Sequence, residues 1–260
     1  LELFPYVNVV NVARGDRMKG AAMSNPTFTS AASEATAITP FTTDGMITAF
    51  DTTIRVAQAA IELGLDFESD SPVDIGATVT QQYGFKLLEW LDRVIATGNG
   101  STEPEGILTA AGTTVVSSDN GAGGPLTVGD FEGLRKSVSK AFRNEPGAMC
   151  AYISNDNMYA RARSIPVGPG DERRVFGMTH DDYMLLNRPY KVQNDIADGR
   201  IAFGNLKRYR MYRRLGLQIS TSTEGRTLML ANKRLIVLRA RFGGKIETGG
   251  AFAVTTDAHA

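Results

Sequence analysis

Apolar side chains recur at helical spacing through one long stretch: Ile75, Val79, Tyr83, Leu87, Leu91 and Ile95, with Leu88, Trp90 and Val94 thickening the stripe. The pattern predicts a helix over about 73–96, roughly 36 Å long at 1.5 Å rise per residue. Asp70 and Ser71, just ahead of Pro72, are its candidate N-caps. Thr97-Gly98-Asn99-Gly100 ends it, where glycine permits a left-handed C-cap. A second helix begins at Thr127, in a box-like Thr-x-x-Asp arrangement with Asp130, and buries Phe131, Leu134, Val138 and Phe142. Met149 to Ile153 reads as a buried strand, followed by a short helix from about Asp156 to Ser164 and a Gly-Pro-rich loop over 165–170. After Phe203 the period shortens to two. It predicts strands over 208–212, 215–219, 227–230, 235–242 and 251–255.

Ahead of the long helix, Phe50, Ile54, Val56 and Ala60 alternate with Asp51, Thr53 and Arg55, as on a two-sided strand. The stretch Ala13 to Gly45 is different. It is rich in Ala, Ser, Thr and Gly, carries Pro26 and Pro40, and holds too few large apolar residues to cover a core. A connection of that length inside a compact domain is normally disordered or functional. Together the two stretches predict a long hairpin arm projecting from the body. The order of arm, helix, mixed α/β and then β places the chain in the α+β class, and no internal repeat is visible.

Composition leaves this picture in place. The 260 residues are 42% hydrophobic and 22% charged, ordinary for one large folded domain or two modest ones. No apolar run approaches the roughly 20 residues of a membrane helix, and no charged-then-apolar leader opens the chain. A start at Leu1 implies a processed chain or missing upstream residues. Cys150 is the only cysteine, so there is no intrachain disulfide, and its apolar neighbours read it as a small core residue.

Charge changes the picture more. Between Arg200 and Lys245 lie twelve basic residues and a single acid, Glu224, although the whole chain is neutral. The rest of the chain therefore holds 16 basic and 27 acidic residues. Such polarity suits an anionic ligand or a copy-to-copy contact in which one end of the molecule meets the other.

Candidate chemistry is thin. Glu62, Asp66, Glu68 and Asp70 decorate one short connection before a helix, which is the place for solvated or partner-facing carboxylates and not for a glycosidase pair. His180 with Asp181 and Asp182 invites a metal or triad reading, but no HExxH or GxSxG accompanies it. Gly121-Ala122-Gly123-Gly124-Pro125 lacks the Lys-Ser/Thr of a phosphate loop and reads as a flexible connection. The run Lys207 to Arg214 mixes bases with aromatics. On a strand it divides into Arg208, Arg210, Tyr212 and Arg214 on one face and Lys207, Tyr209, Met211 and Arg213 on the other. Split this way, it favours pairing with acidic surface on another copy, with weak DNA contact second. The bottom-up expectation is no catalytic, cofactor or metal site.

Five stretches, in order, resemble the tailed-phage major capsid family. They are Phe67-Glu68-Ser69-Asp70-Ser71-Pro72-Val73-Asp74-Ile75, Gly98-Asn99-Gly100-Ser101-Thr102-Glu103-Pro104-Glu105-Gly106-Ile107-Leu108, Leu126-Thr127-Val128-Gly129-Asp130-Phe131, Ile201-Ala202-Phe203-Gly204-Asn205-Leu206-Lys207-Arg208-Tyr209 continuing into Arg214 to Ile219, and Gly250-Ala251-Phe252-Ala253-Val254. The second is the most specific, resembling the family's G-x-G-t-x-x-P-x-G-i-l. Asn187 departs from the pattern by standing where the family usually has Gly before Pro. The usual Trp-containing acidic motif of the arm is missing, and so is most of the N-terminal arm.

The resemblance implies a Hong Kong 97-like capsid fold with a long spine helix, peripheral and axial domains and an extended E-loop hairpin. Residues 1–11 would be a remnant of the N-terminal arm and 12–55 the E-loop with its strands. The peripheral domain would take 56–98 and 222–248, and the axial domain 99–221 and 249–260. The implied role is a non-enzymatic major capsid protein. It would assemble through pentamers and hexamers into an icosahedral virion shell in the bacterial host cytoplasm, with no membrane involved. Portal and cement or decoration proteins would be partners, and packaged double-stranded DNA would touch the inner face non-specifically. Glu62, Glu68, Arg208, Arg210, Arg213 and Arg214 are the residues expected to pair between copies. Some family members link a loop Lys to a neighbour's Asn. Lys19, the only Lys in the loop segment, sits near its base, so no such cross-link is expected. An encapsulin-type compartment shares the fold, a decoration or tail protein would bind shells without forming them, and a hydrolase using His180 is the outlying alternative.

Overall fold

The computed structural model of the chain describes residues 2–23, 47–72, 74–117, 124–166 and 184–255. In chain order the elements are β1 (Asn8–Asn11), β2 (Arg17–Met23), β3 (Ile47–Thr53), β4 (Arg55–Gly64), α1 (Leu65–Asp70), α2 (Ile75–Thr97), β5 (Thr114–Val116), α3 (Val128–Ser137), α4 (Lys140–Arg143), β6 (Cys150–Ser154), α5 (Asp156–Ser164), β7 (Met184–Leu185), β8 (Arg188–Val192), β9 (Ala202–Asn205), β10 (Tyr209–Ser222), α6 (Arg226–Leu230), β11 (Lys233–Ile246) and β12 (Phe252–Thr255). Three sheets organise them. One runs β1-β10-β11-β4, a second β5-β12-β9-β6-β8-β7, and β2 and β3 form a two-stranded ribbon of their own.

The six-stranded sheet holds most of the core. Every residue of β6, β9 and β12 is buried, as expected of central strands covered on both faces. Tyr152 sits at its centre, edge-on to Phe131 of α3 at 5.4 Å and against Phe203 at 4.6 Å, with its hydroxyl donating to Phe131 O. Phe131, Leu134, Val138 and Phe142 are all buried as expected, although the helix breaks after Ser137 and Phe142 rides on α4. Asp130 Oδ2 accepts from both the backbone N–H and the hydroxyl of Thr127, closing the first turn of α3.

The long helix is present over Ile75–Thr97, but its caps differ from the sequence expectation. Asp74, not Asp70 or Ser71, accepts from Ala77 N at the N-terminus. At the other end Gly98 has φ −55°, and the left-handed position of the run falls two residues later, at Gly100 with φ +71°. The chain instead folds back and supplies the missing donors itself. Ile107 N donates to Ile95 O at 2.8 Å, Leu108 N to Ala96 O at 2.9 Å and Gly106 N to Gly98 O at 2.8 Å. A Cβ on Gly106 would lie 2.5 Å from Gly98 N and 2.8 Å from Ala96 O. The glycines of this motif are therefore required by close backbone approach. Only the last turns of α2 are buried, at Leu91, Asp92, Val94, Ile95 and Ala96. Towards its N-terminus, Tyr83, Leu87 and Trp90 line an open cleft of about 470 Å³ against β4, β10 and β11.

Three further expectations are corrected. The strands read as 208–212 and 215–219 are one strand, β10, which pairs with β11; register shifts after Arg213 and Leu215 mimic a break in the pattern. Residues 227–230 are helical and belong to α6, because a short apolar run beside a glycine at φ +122° does not by itself distinguish helix from strand. Val56 and Ala60 do not share a side with Phe50 and Ile54. Ile54 falls between β3 and β4, its N–H donating to Asp16 O, and the inward parity shifts to Ala57, Ala59, Ile61 and Leu63. At the start of the chain, Leu3 and Val7 lie in the main core and β1 pairs in parallel with β10. Asn187 has φ +59° in the two-residue turn between β7 and β8. That accounts for a glycine preference there and for asparagine as its substitute.

Candidate assembly surfaces

The basic run folds differently from the alternating strand its sequence suggests. Leu206–Arg208 form a 3-10 turn capped by Asn205, and only from Tyr209 does the strand begin. Tyr209 and Met211 are fully buried on one face. Tyr212 is buried on the other against Phe50, leaving the neighbouring arginines wedged between covered surfaces. Arg208 makes a two-pronged contact with Glu145, at 2.9 and 2.5 Å, and also reaches Glu247. Arg210 pairs with Glu247 and lies over the Phe50 ring at 5.7 Å. Arg214 pairs with Asp16, which also holds Arg241 at 2.9 Å. Arg213 is exposed and donates to Asn11 Oδ1.

The acidic connection is likewise engaged within the chain. Glu62 pairs with Lys233 at 2.9 Å, Glu68 with Arg234 at 2.5 Å, and Asp66 accepts from Asn232 Nδ2. The charge asymmetry along the sequence is thus largely neutralised once β11 lies beside β4. Of the six residues expected to pair between copies, Glu62 and Glu68 meet basic residues of β11, and Arg208, Arg210 and Arg214 meet acids from other parts of the chain. Within the basic stretch, Arg200, Lys207, Arg213, Arg226 and Arg239 are exposed and, among the described residues, have no carboxylate partner. The exposed Glu62–Lys233 pair is worth about 0–1 kcal/mol, so exchanging its partner for one on another copy costs little, whereas Arg208 and Arg210 are held more firmly by Glu247, which is 9% exposed.

In the ribbon β2–β3, Arg17, Lys19, Ala21, Ala49 and Thr53 are exposed, whereas Phe50 and Thr52 are buried. Its register runs from Arg17↔Thr53 to Met23↔Ile47, and its strands join neither of the larger sheets. Phe50 lies across from Gly20, where a Cβ would strike the ring, so the aromatic fills the glycine's space. Arg17 Nε donates to Asp51 at 2.5 Å, and Thr52 anchors the base through Gly244 O. Lys19 is exposed opposite Asp51. Two-stranded ribbons are marginal in water without further support.

Little here resembles a reactive centre. Cys150 is buried and its thiol is pushed up by that burial, against opposing influences from Arg188 and Arg143. His180, Asp181, Asp182 and Gly121 to Gly123 lie outside the described residues. Among the described residues no group of three His, Cys, Asp or Glu is placed to hold a metal, and no helix is long and apolar enough to cross a membrane. The sequence reading passed over Asp92, a carboxylate 5% exposed inside the apolar stripe of α2, which accepts from three backbone N–H groups at the start of the chain. Its signal was a lone acid beside Leu91, one turn beyond Leu88.

The family model of the phage capsid family matches residues 2–257. The chain belongs to that family. Among solved structures it is similar to the capsid of a native GTA particle computed with C5 symmetry, with 18% identity and a TM-score of 0.81 over 99% of this chain and 90% of that one. It is also similar to a chain of Gordonia phage Cozz, at 15% identity and a TM-score of 0.71 over 99% and 86% of the two chains. A virus-like particle from Pyrococcus furiosus follows at 10% identity and 0.64 over 98% and 92%. No curated protein matches in sequence. The architecture is the Hong Kong 97-like capsid fold, with α2 as its long spine helix, and the protein is a phage-type capsid shell protein.

Proposed function

We propose that this capsid protein assembles through pentamers and hexamers into an icosahedral shell enclosing a phage's double-stranded DNA. The observation that carries the reading is the β2–β3 ribbon, which pairs with neither large sheet, in a chain whose family builds shells. A neighbouring copy supplies the surface that the ribbon lacks at home. In this reading β4, α2 and β11 form the peripheral domain, joined by β10, which pairs along β11; the six-stranded sheet forms the axial domain. Arg213 heads the residues that meet a neighbour. The other five candidates reach neighbours from positions already paired within the chain, and many modest contacts add up by avidity. Head-to-tail contacts of this kind close into rings. Portal and cement or decoration proteins join the shell, which is built in the host cytoplasm, and DNA touches its inner face without sequence preference.

A second reading, an encapsulin-type compartment, is favoured by the likeness to the Pyrococcus furiosus virus-like particle. Negative-stain microscopy of particles recovered from producing cells, with their contents analysed, separates the two. Closed shells with nuclease-protected DNA are expected. Shells filled with protein cargo would establish the compartment instead, and a compact monomer at high concentration would overturn both.

A further inference from the structure

The first ten described residues make contacts that no loose terminus needs. Asp92 Oδ2 accepts from Glu2 N at 2.6 Å, and Asp92 Oδ1 accepts from Phe4 N at 2.7 Å and Leu3 N at 3.2 Å. A buried carboxylate satisfied by three backbone donors is a strong, charge-assisted arrangement, whereas the same carboxylate without them is costly. Lys191 on β8 donates to Glu2 Oε2 at 3.0 Å and lies 4.6 Å from the centre of the Tyr6 ring. Leu3, fully buried, and Val7 join the main core, and residues 8–11 then pair with Arg210 to Arg213 of β10.

These contacts fall on three separate parts of the fold. Asp92 belongs to the spine helix, Lys191 to the six-stranded sheet and β10 to the four-stranded sheet. We propose that residues 2–11 are a strap that fixes the two sheets against the spine helix, and that Asp92 is its latch. A carboxylate buried at the flank of an apolar stripe costs free energy unless its oxygens are satisfied, so the latch accounts for an otherwise expensive residue. The strap thereby sets the relative position of the two sheets, the degree of freedom a shell subunit adjusts when copies sit in unequal surroundings. The latch stands without that last step, which rests on the shell reading.

Hydrogen exchange followed by mass spectrometry on the full-length, unassembled protein tests the latch. In Asp92→Ala the amides of residues 2–4 and 8–12 are expected to exchange about 10–100-fold faster, while the β6 peptide over 150–154 keeps its protection. In Asp92→Asn one oxygen still serves Leu3 and Phe4, and the new amide faces Glu2 N, so the loss centres on the first residues. This milder variant decides the matter if the alanine variant does not fold. Unchanged protection over 2–12 in a folded variant overturns the latch, as does a loss spread evenly into β6. Particle diameter by microscopy tests the strap's role separately: a latch-deficient subunit that folds and frees its strap yet builds shells of unaltered size and shape refutes the positional role and leaves the latch intact.

Discussion

Replacing Gly106 by Ala tests whether the motif after the spine helix is built on backbone contact. The added Cβ would sit 2.5 Å from Gly98 N and 2.8 Å from both Ala96 O and Thr97 N, all main-chain atoms that cannot rotate aside. Relief requires the returning segment to move off the helix end. That strains three hydrogen bonds, Gly106 N to Gly98 O, Ile107 N to Ile95 O and Leu108 N to Ala96 O, each worth about 1 kcal/mol net. It also shifts Ile107, which is fully buried, and overpacking of this kind costs about 1–3 kcal/mol. The expected loss is about 4–6 kcal/mol, a large part of the roughly 5–15 kcal/mol that holds a domain together. Urea unfolding of the dissociated protomer, followed by fluorescence of the single Trp90 on α2, gives the value without the concentration dependence of the assembled shell. Gly84 on the same helix is the control. Nothing lies within 4 Å of its Cβ position, so Gly84→Ala should stabilise by about 0.5–1 kcal/mol through helix propensity alone. Loss of less than about 0.5 kcal/mol in Gly106→Ala, or an equal loss in both variants, would refute the reasoning.

Four other outcomes follow from the same structure. Glu247→Gln leaves Arg208 and Arg210 short of a carboxylate that is 9% exposed, and should lower protomer stability by about 2–3 kcal/mol in the same urea titration. Reversing Arg213 and Arg214 to Glu should block ring assembly while leaving the protomer within about 1 kcal/mol of its stability, since only exposed contacts are lost; normal shells by microscopy would count against charge pairing between copies. Asn187→Gly should match or exceed the parent in thermal stability, whereas Asn187→Val should lose about 1–3 kcal/mol at the left-handed turn. Assembled particles boiled in detergent should run as single protomers on a denaturing gel, and a ladder would show that Lys19 or another lysine is cross-linked.

Much of the architecture was legible in the sequence because it rests on local periodicity and short-range chemistry. The stripe from Ile75 to Ile95 requires a long helix, the Thr127–Asp130 spacing starts another, and Phe131, Leu134, Val138 and Phe142 can only be a buried face. The fold family was also legible, because the glycines from Gly98 to Gly106 record a backbone approach that no other residue type permits. Pairing across the chain decided the rest. Whether a charge is free depends on what lies opposite. The basic excess between Arg200 and Lys245 is legible in the sequence, but only the fold lays β11 beside β4 and brings Glu145, Glu247 and Asp16 to Arg208, Arg210 and Arg214. The apolar parity of 50–60 changed at Ile54 because a hydrogen bond to Asp16 interrupts the strand, which no pattern within those residues records. Asp92 shows the same division. Its position on the stripe was readable, but its purpose lies with amides about ninety residues away, and only the folded chain brings donor and acceptor together.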